Sequence, residues 1–422
     1  MKTRFFLLFI IIANIGYAQL DRDQIHSDFV LYQRRLDFDR NMRNRTINAV
    51  FAQPLDSNTE EKYREACWAI SQFLLRSPEI EHGFQTMFNQ YGQMEDATRR
   101  ALLEAVYGTY HSEYKNRYDA LIRTERSPRL FAMQAGYLYR LDNSKNGVER
   151  LRGMLITRFP DYQQNVLLQQ LDNYLLNHAS QITVPRPGLQ ALFDYRKASG
   201  QKTIYSFQRW NRDYPGLAVI QNADGSFARD SAGKLLVFQQ LARSASDLPY
   251  FITDGSTPQG IFSIQGTEVS HNNLIGPTPN IQLVMPNETD SLFWHGPYDS
   301  TQTPLVNYLN LLPDSWRSYA PMTESFYAGK IGRTEIIAHG TTMDPDYFKD
   351  MPFYPLTPTM GCLCAKESWN MFTGKIVQSD QFRLADTFLA TPGTTGYLFV
   401  INLDNQQTAV TSAEIEKLIG QN

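Results

Sequence analysis

The sequence predicts an α + β chain of two domains: an all-α N-terminal domain, bundle or solenoid-like, followed by a mostly-β domain of the sandwich or barrel type. Three observations predict it. Apolar residues recur at three- and four-residue spacing through the first 180 positions, as in Leu102, Leu103, Val106, Tyr107 and in Val166, Leu167, Leu171, Leu175. Beyond Pro185-Arg186-Pro187-Gly188 the pattern changes to short β-branched and aromatic runs separated by Gly, Pro, Asn and Asp. The length of 422 residues also exceeds what one ordinary core supports.

Residues 1–18 read as a secretory signal peptide. Lys2 and Arg4 are its positive end, Phe5–Ile12 its apolar run, and Gly16-Tyr17-Ala18 the small residues before cleavage at Gln19. The apolar run is too short to span a bilayer comfortably, and no other stretch is long and apolar enough. The mature chain is expected to be exported, with the periplasm as its compartment and no transmembrane segment. A net charge of −3 gives no reason to expect nucleic acid.

The helical domain is expected over residues 19–180. Its helices are Glu60–Leu75, Asp96–Tyr107, Pro128–Arg140, Gly147–Thr157 and Tyr162–Leu176, with breaks at Ser77-Pro78, Ser127-Pro128 and Phe159-Pro160-Asp161. Residues 181–202 read as a linker. The second domain, 203–405, carries the strands Leu217–Gln221, Leu235–Leu241, Gly260–Gln265, Ile281–Met285, Glu335–Ala338 and Tyr397–Leu403. In the tail, 406–422, Thr411 and Glu414 form a capping box that opens a short helix.

Three cysteines make a poor disulfide framework for an exported chain of this size. Cys67, in Ala66-Cys67-Trp68-Ala69-Ile70, belongs to an apolar helix face. Cys362 and Cys364 lie in Thr359-Met360-Gly361-Cys362-Leu363-Cys364, and His339-Gly340-Thr341 ends an apolar run upstream. An imidazole that takes a thiol's proton makes a nucleophile, so His339 and Cys362 form a candidate thiolate–imidazole pair. Gly361 permits a tight turn that presents the sulfur. The backbone N–H groups around Gly361–Cys362 are then an expected oxyanion hole. Competing readings of the same residues are a redox pair, Cys362 with Cys364, and a zinc site of Cys362, Cys364, His339 and His295. The zinc site lacks a helical His-x-x-x-His or a Cys-x-x-Cys. His295 reads as structural, His271 as a solvated loop residue, and Trp294, Trp316 and Trp369 as packing residues.

H-G-T, a loop, then [S/T]-x-G-C resembles the signature of the YkuD-like L,D-transpeptidases, cysteine acyltransferases of peptidoglycan. Ser256–Ile264, STPQGIFSI, is similar to the T-P-x-G-x-[FY] block of the same domain. The resemblance covers Thr203–Leu403, about half the chain. It implies a mostly-β catalytic fold, with Cys362 as nucleophile, His339 as base and then acid, and the Gly340 carbonyl fixing the imidazole tautomer. It also implies that Thr359 shapes the acceptor side, with Met360, Gly361 and Tyr354 at the substrate. A peptidoglycan stem peptide would acylate Cys362 and lose its terminal D-amino acid. An amine (a second stem, a D-amino acid or a protein) would then take the acyl group, with no metal or organic cofactor. Water in its place would make the protein a carboxypeptidase or endopeptidase.

Two positions depart from the pattern. Met360 stands where the family has His, and Cys364 where it has Arg or Asn. They favour the alternative of a non-catalytic peptidoglycan-binding or scaffolding protein. The loop of 22 residues between His339 and Cys362 is aromatic at Tyr347, Phe348, Phe353 and Tyr354 and acidic at Asp344, Asp346 and Asp350. It is expected to be either a lid over a peptide or a surface Ω-loop.

Overall fold

A computed structural model of the protein describes residues 21–179 and 185–420. The signal-peptide expectation lies outside the described residues, and so does part of the expected linker. Among the described residues, no helix is long and apolar enough to cross a membrane.

The described chain from residue 21 to residue 179 is helical. Its α-helices are α1 (Tyr32–Asn41), α2 (Ala49–Phe51), α3 (Glu60–Phe73), α4 (Pro78–Asn89), α5 (Asp96–Thr109), α6 (Lys115–Leu121), α7 (Pro128–Leu141), α8 (Lys145–Arg158) and α9 (Val166–Ala179), and a π-helical segment, Met42–Asn48, joins α1 to α2. The expected breaks start helices. Ser77 accepts from the Ile80 N–H at 3.3 Å, and Pro78 and Pro128 occupy first turns. The expected helical faces are buried, with Cys67, Leu102, Leu103, Val106, Leu171 and Leu175 all in one core.

The rest is α + β, with more helix than expected. Helix α10 (Leu189–Ser199) occupies half of the expected linker, and Leu192 and Phe193 pack against Tyr205 and Phe207 of the sheet. Four short helices follow between strands: α11 (Asp290–Phe293), α12 (Pro304–Leu309), α13 (Asp314–Arg317) and α14 (Glu324–Lys330). Later come α15 (Asp380–Leu389) and α16 (Ser412–Ile419), and α16 opens with the expected Thr411–Glu414 capping box.

The strands are β1 (Thr203–Gln208), β2 (Gly216–Gln221), β3 (Phe238–Leu241), β4 (Gly260–Glu268), β5 (Asn280–Val284), β6 (Ala338–His339), β7 (Leu363–Ala365), β8 (Glu367–Trp369), β9 (Ile376–Ser379) and β10 (Gly396–Asn402). Eight of them close a barrel in the order β1-β10-β4-β5-β6-β7-β3-β2, and β8 and β9 form a separate hairpin. Two pairs, β1/β10 and β6/β7, are parallel. All eight strands feed one core, through residues such as Ile204, Ala218, Phe262, Ala338, Leu363 and Leu398, and α15 adds Leu384 and Phe388. Strand β6 is shorter than expected. Glu335 has φ +62°, a left-handed conformation that a strand cannot contain, so pairing begins only at Ala338.

The helical half and the barrel share a core. Leu241, Leu248, Phe251 and Ile252 join the helical cluster, as do Met343, Phe348, Phe353 and Leu356 from the His339–Cys362 loop. That loop is therefore a packed seam. The Tyr347 hydroxyl donates to Asp39 at 2.9 Å, its ring lies 4.8 Å from that of Phe73, and Arg35 pairs with Asp344 at 3.4 Å.

Candidate active site

Strands β6 and β7 lie side by side and place the two sequence signatures together. Ala338 pairs with Leu363, and His339 with Cys364. Ala338 and Leu363 face the barrel core. Side chains alternate along a strand, so His339 and Cys364 face the other way, toward the helical half. Cys362 immediately precedes β7, in the bend that follows Gly361.

The two thiols differ in access. Cys364 is fully buried, lies 3.5 Å from the Thr357 hydroxyl, and has its pKa pushed up to about 12 by burial. Cys362 is partly exposed, which makes it the accessible thiol of the pair. Its Sγ accepts from the Ile337 N–H and donates to the Glu335 carbonyl, both at 3.5 Å. Burial raises its pKa to about 11, against the opposing pull of the Ile337 N–H and the Arg333 guanidinium. Cys67 is buried in the helical core, where burial also drives its pKa up.

His339 is buried, and its Nδ1 donates to the Gly340 carbonyl at 2.5 Å. The proton is thereby held on Nδ1, and Nε2 carries the lone pair, with no partner among the described residues. Burial lowers the His339 pKa to about 4, so the ring is neutral near pH 7. Neither hydrogen bond of Cys362 goes to His339. The expected thiolate–imidazole pair is therefore replaced, in this state, by a neutral thiol and a neutral imidazole on neighbouring strands, because both sites are desolvated.

The turn before Cys362 is tightly held. Gly361 has φ +115°. Its N–H donates to the Thr359 hydroxyl at 3.0 Å, and that hydroxyl donates to the Cys362 carbonyl at 2.9 Å. The Thr257 hydroxyl donates to the Gly361 carbonyl at 2.8 Å, which ties the Ser256–Ile264 block to the cysteine turn. The Gly361 N–H is thus not free for an oxyanion hole as expected. The Cys362 N–H remains, without a partner among the described residues. Gly340 must also be glycine, since a β-carbon there would stand 2.2 Å from the buried Glu367 carboxyl. That carboxyl accepts from the Thr341 N–H at 2.7 Å and the Ser379 hydroxyl at 2.5 Å.

Sequence reasoning missed Arg333. Its guanidinium is buried and donates to the carbonyls of Gly255 at 2.8 Å, Ser256 at 3.1 Å and Tyr250. Among the described residues it forms no ion pair with a carboxylate, and it is a positive charge acting on Cys362. A cation buried without an acidic partner was the available signal only once its burial was known.

The other expected residues are spread more widely. Met360 is 37% exposed and accepts from Trp68 Nε1 of α3 at 3.3 Å, so it is a contact between the two halves. Tyr354 is exposed. His295 is held by the Ser263 hydroxyl at 2.7 Å and the Ile264 carbonyl at 3.0 Å, a structural setting. His271 is exposed. Trp316 is buried and donates to Gly188, Trp369 donates to Thr341, and Trp294 stacks edge-on against Phe293.

No protein-family model matches the chain, and comparison with curated proteins and with solved structures finds no significant match.

Proposed function

We propose that the protein is an exported cysteine acyltransferase of the L,D-transpeptidase type, acting on peptidoglycan stem peptides. One observation carries the reading. His339 ends β6, and the Gly361–Cys362 turn leads into β7, its parallel neighbour, with the His339 Nδ1 proton engaged by Gly340 and the accessible thiol at Cys362.

The resting groups are both neutral, so the thiol proton leaves as sulfur attacks. Cys362 Sγ bonds to the stem carbonyl carbon while its proton passes to His339 Nε2, and the Cys362 N–H faces the developing oxyanion. The imidazolium then protonates the leaving amine of the terminal D-amino acid, and a thioester remains on Cys362. An acceptor amine attacks that thioester, the C–S bond breaks, and the proton returns to sulfur by way of His339. The Arg333 charge opposes the burial cost of any negative charge on sulfur.

Mass spectrometry of tetrapeptide muropeptides, incubated with the mature protein and a free D-amino acid, tests this. Exchange of the terminal residue or cross-linked dimers is expected, and both should be lost in Cys362→Ala. A shortened stem alone would assign hydrolysis. No change with folded, reduced protein would overturn the enzyme reading in favour of a peptidoglycan-binding protein.

A further inference from the structure

A cavity lies in the helical half, and one of its lining residues, Trp68, touches Met360 of the cysteine turn. About 640 Å³ opens between α3, α5 and the start of α7. A closed seam with no room for a water molecule shares Trp68, Ser71 and Glu104 with it and reaches Asp254, Thr359 and Met360. The Trp68–Met360 contact stands at this end.

The cavity carries opposite charges on different elements. On α5, Arg100 Nη2 lies 3.1 Å from Asp254 and 4.0 Å from Glu104. One guanidinium thus serves two carboxyl groups, and Glu104 is only 7% exposed. Burial and the Asp254 charge together raise the Glu104 pKa to about 8, as expected of a carboxyl short of positive charge. Across the cavity, Arg129 is exposed in the first turn of α7, with neither a hydrogen bond nor an ion pair among the described residues. A cation there opposes the helix dipole and gains nothing locally. The volume suits a short peptide.

We infer that this cleft binds a zwitterionic peptide, its ammonium held by Glu104 and Asp254 and its carboxylate by Arg129. The inference rests on the acyltransferase reading for the identity of that peptide, a peptidoglycan stem with a diamino acid. It gives the helical half a role: one wall of the substrate site, meeting the nucleophile turn at Trp68 and Met360. The step is binding alone, and no bond forms in the cleft. The same chemistry fits the stem as acyl donor or as acceptor.

Calorimetric titration of the Cys362→Ala protein tests it without turnover. The probe is a free stem tripeptide with an unmodified diamino acid. Analogues carry an acetylated side-chain amine or an amidated C-terminus. Glu104→Gln and Arg129→Ala are each expected to weaken binding about tenfold. Acetylation should cost the wild-type cleft the same and cost Glu104→Gln little further, and amidation should behave likewise against Arg129→Ala. Binding indifferent to both variants, or no binding of the tripeptide, overturns the inference; exposed Arg129 keeps the test valid if Glu104→Gln misfolds. In the Cys362-intact protein, slower release of the terminal D-amino acid in Arg129→Ala assigns the donor. A lower ratio of aminolysis to hydrolysis assigns the acceptor. Charge-dependent binding with no turnover at all would sustain the cleft and refute only the acyltransferase reading.

Discussion

A β-carbon on Gly361 would stand 2.4 Å from Nη2 of Arg333 and 2.7 Å from the Gly255 carbonyl. The glycine of the cysteine turn is therefore fixed twice, by its φ of +115° and by the guanidinium against it. Gly361→Ala is expected to cost roughly 3 kcal/mol of stability and, on the proposed acyltransferase reading, to abolish acyl transfer. Urea denaturation and the muropeptide assay check both. A fully active, equally stable alanine protein would refute this close packing.

Arg333 acts on Cys362 as a charge that forms no ion pair among the described residues, with the Asp254 carboxylate acting on it through space. Its loss should raise the thiol pKa above its present value of about 11. The rate of Cys362 alkylation, followed by mass spectrometry, should rise with pH toward 11 in the wild-type protein. It should not show the mildly acidic plateau of a preformed thiolate–imidazolium pair. Arg333→Met should slow alkylation at pH 8 about tenfold or more, and Arg333→Lys should restore part of it. An unchanged profile in a folded Met variant would make Arg333 purely structural. Peptide mapping separates Cys362 from the buried Cys67 and Cys364.

Met360 meets Trp68, so its place in the chain is a packing contact between the two halves. Met360→Leu is expected to keep the muropeptide exchange rate within about threefold, because a Leu for Met exchange conserves volume. A loss of a hundredfold would instead give the Met360 sulfur a specific role.

Local signals made the helical half and the capping box readable. Thr411 and Glu414 lie within one turn, and Leu102, Leu103 and Val106 repeat with the helix. Six of the strands were also legible, from β-branched runs such as Leu217–Gln221, whereas β1, β7, β8 and β9 were missed. The barrel order was not, because β6/β7 and β1/β10 pair strands far apart in sequence, and no short pattern records a parallel neighbour. The short helices from Asp290 to Lys330 hid among turn residues, each too brief to show a period. At the candidate site, His339, Gly361 and Cys362 were singled out from the residues themselves, and Gly340 and Thr359 only through the family resemblance. Arg333, Glu367 and Asp254 act through burial and position, which a sequence does not carry.

The loop from His339 to Cys362 is wedged between the halves at Phe348, Phe353 and Leu356. Phe353 is fully buried, with the Arg243 guanidinium 4.9 Å from its ring centroid. Phe353→Ala is expected to destabilise the fold by about 3–5 kcal/mol, as for a core aromatic. A mobile lid would lose little. Chemical denaturation decides between them.

Glu367 supports Gly340 and Thr341 beside the imidazole, and burial raises its pKa from 4.5 to about 7. A folded pKa above the unfolded one means that its stabilising contribution is whole below pH 4.5 and is lost as pH rises through 7. Glu324 and Glu104 behave alike, raised by burial to about 7 and about 8. His339 runs the other way: lowered by burial to about 4, it stabilises above pH 6.5 and loses that contribution as pH falls to 4. The comparison that isolates Glu367 is with Glu367→Gln, which keeps an acceptor and removes the titration. The glutamine protein should gain on the wild type by about 1.4 kcal/mol per pH unit between pH 4.5 and 7, and by nothing further above that range. Urea midpoints at four pH values measure the difference. A constant offset across that range would mean that Glu367 titrates normally and that burial does not raise its pKa.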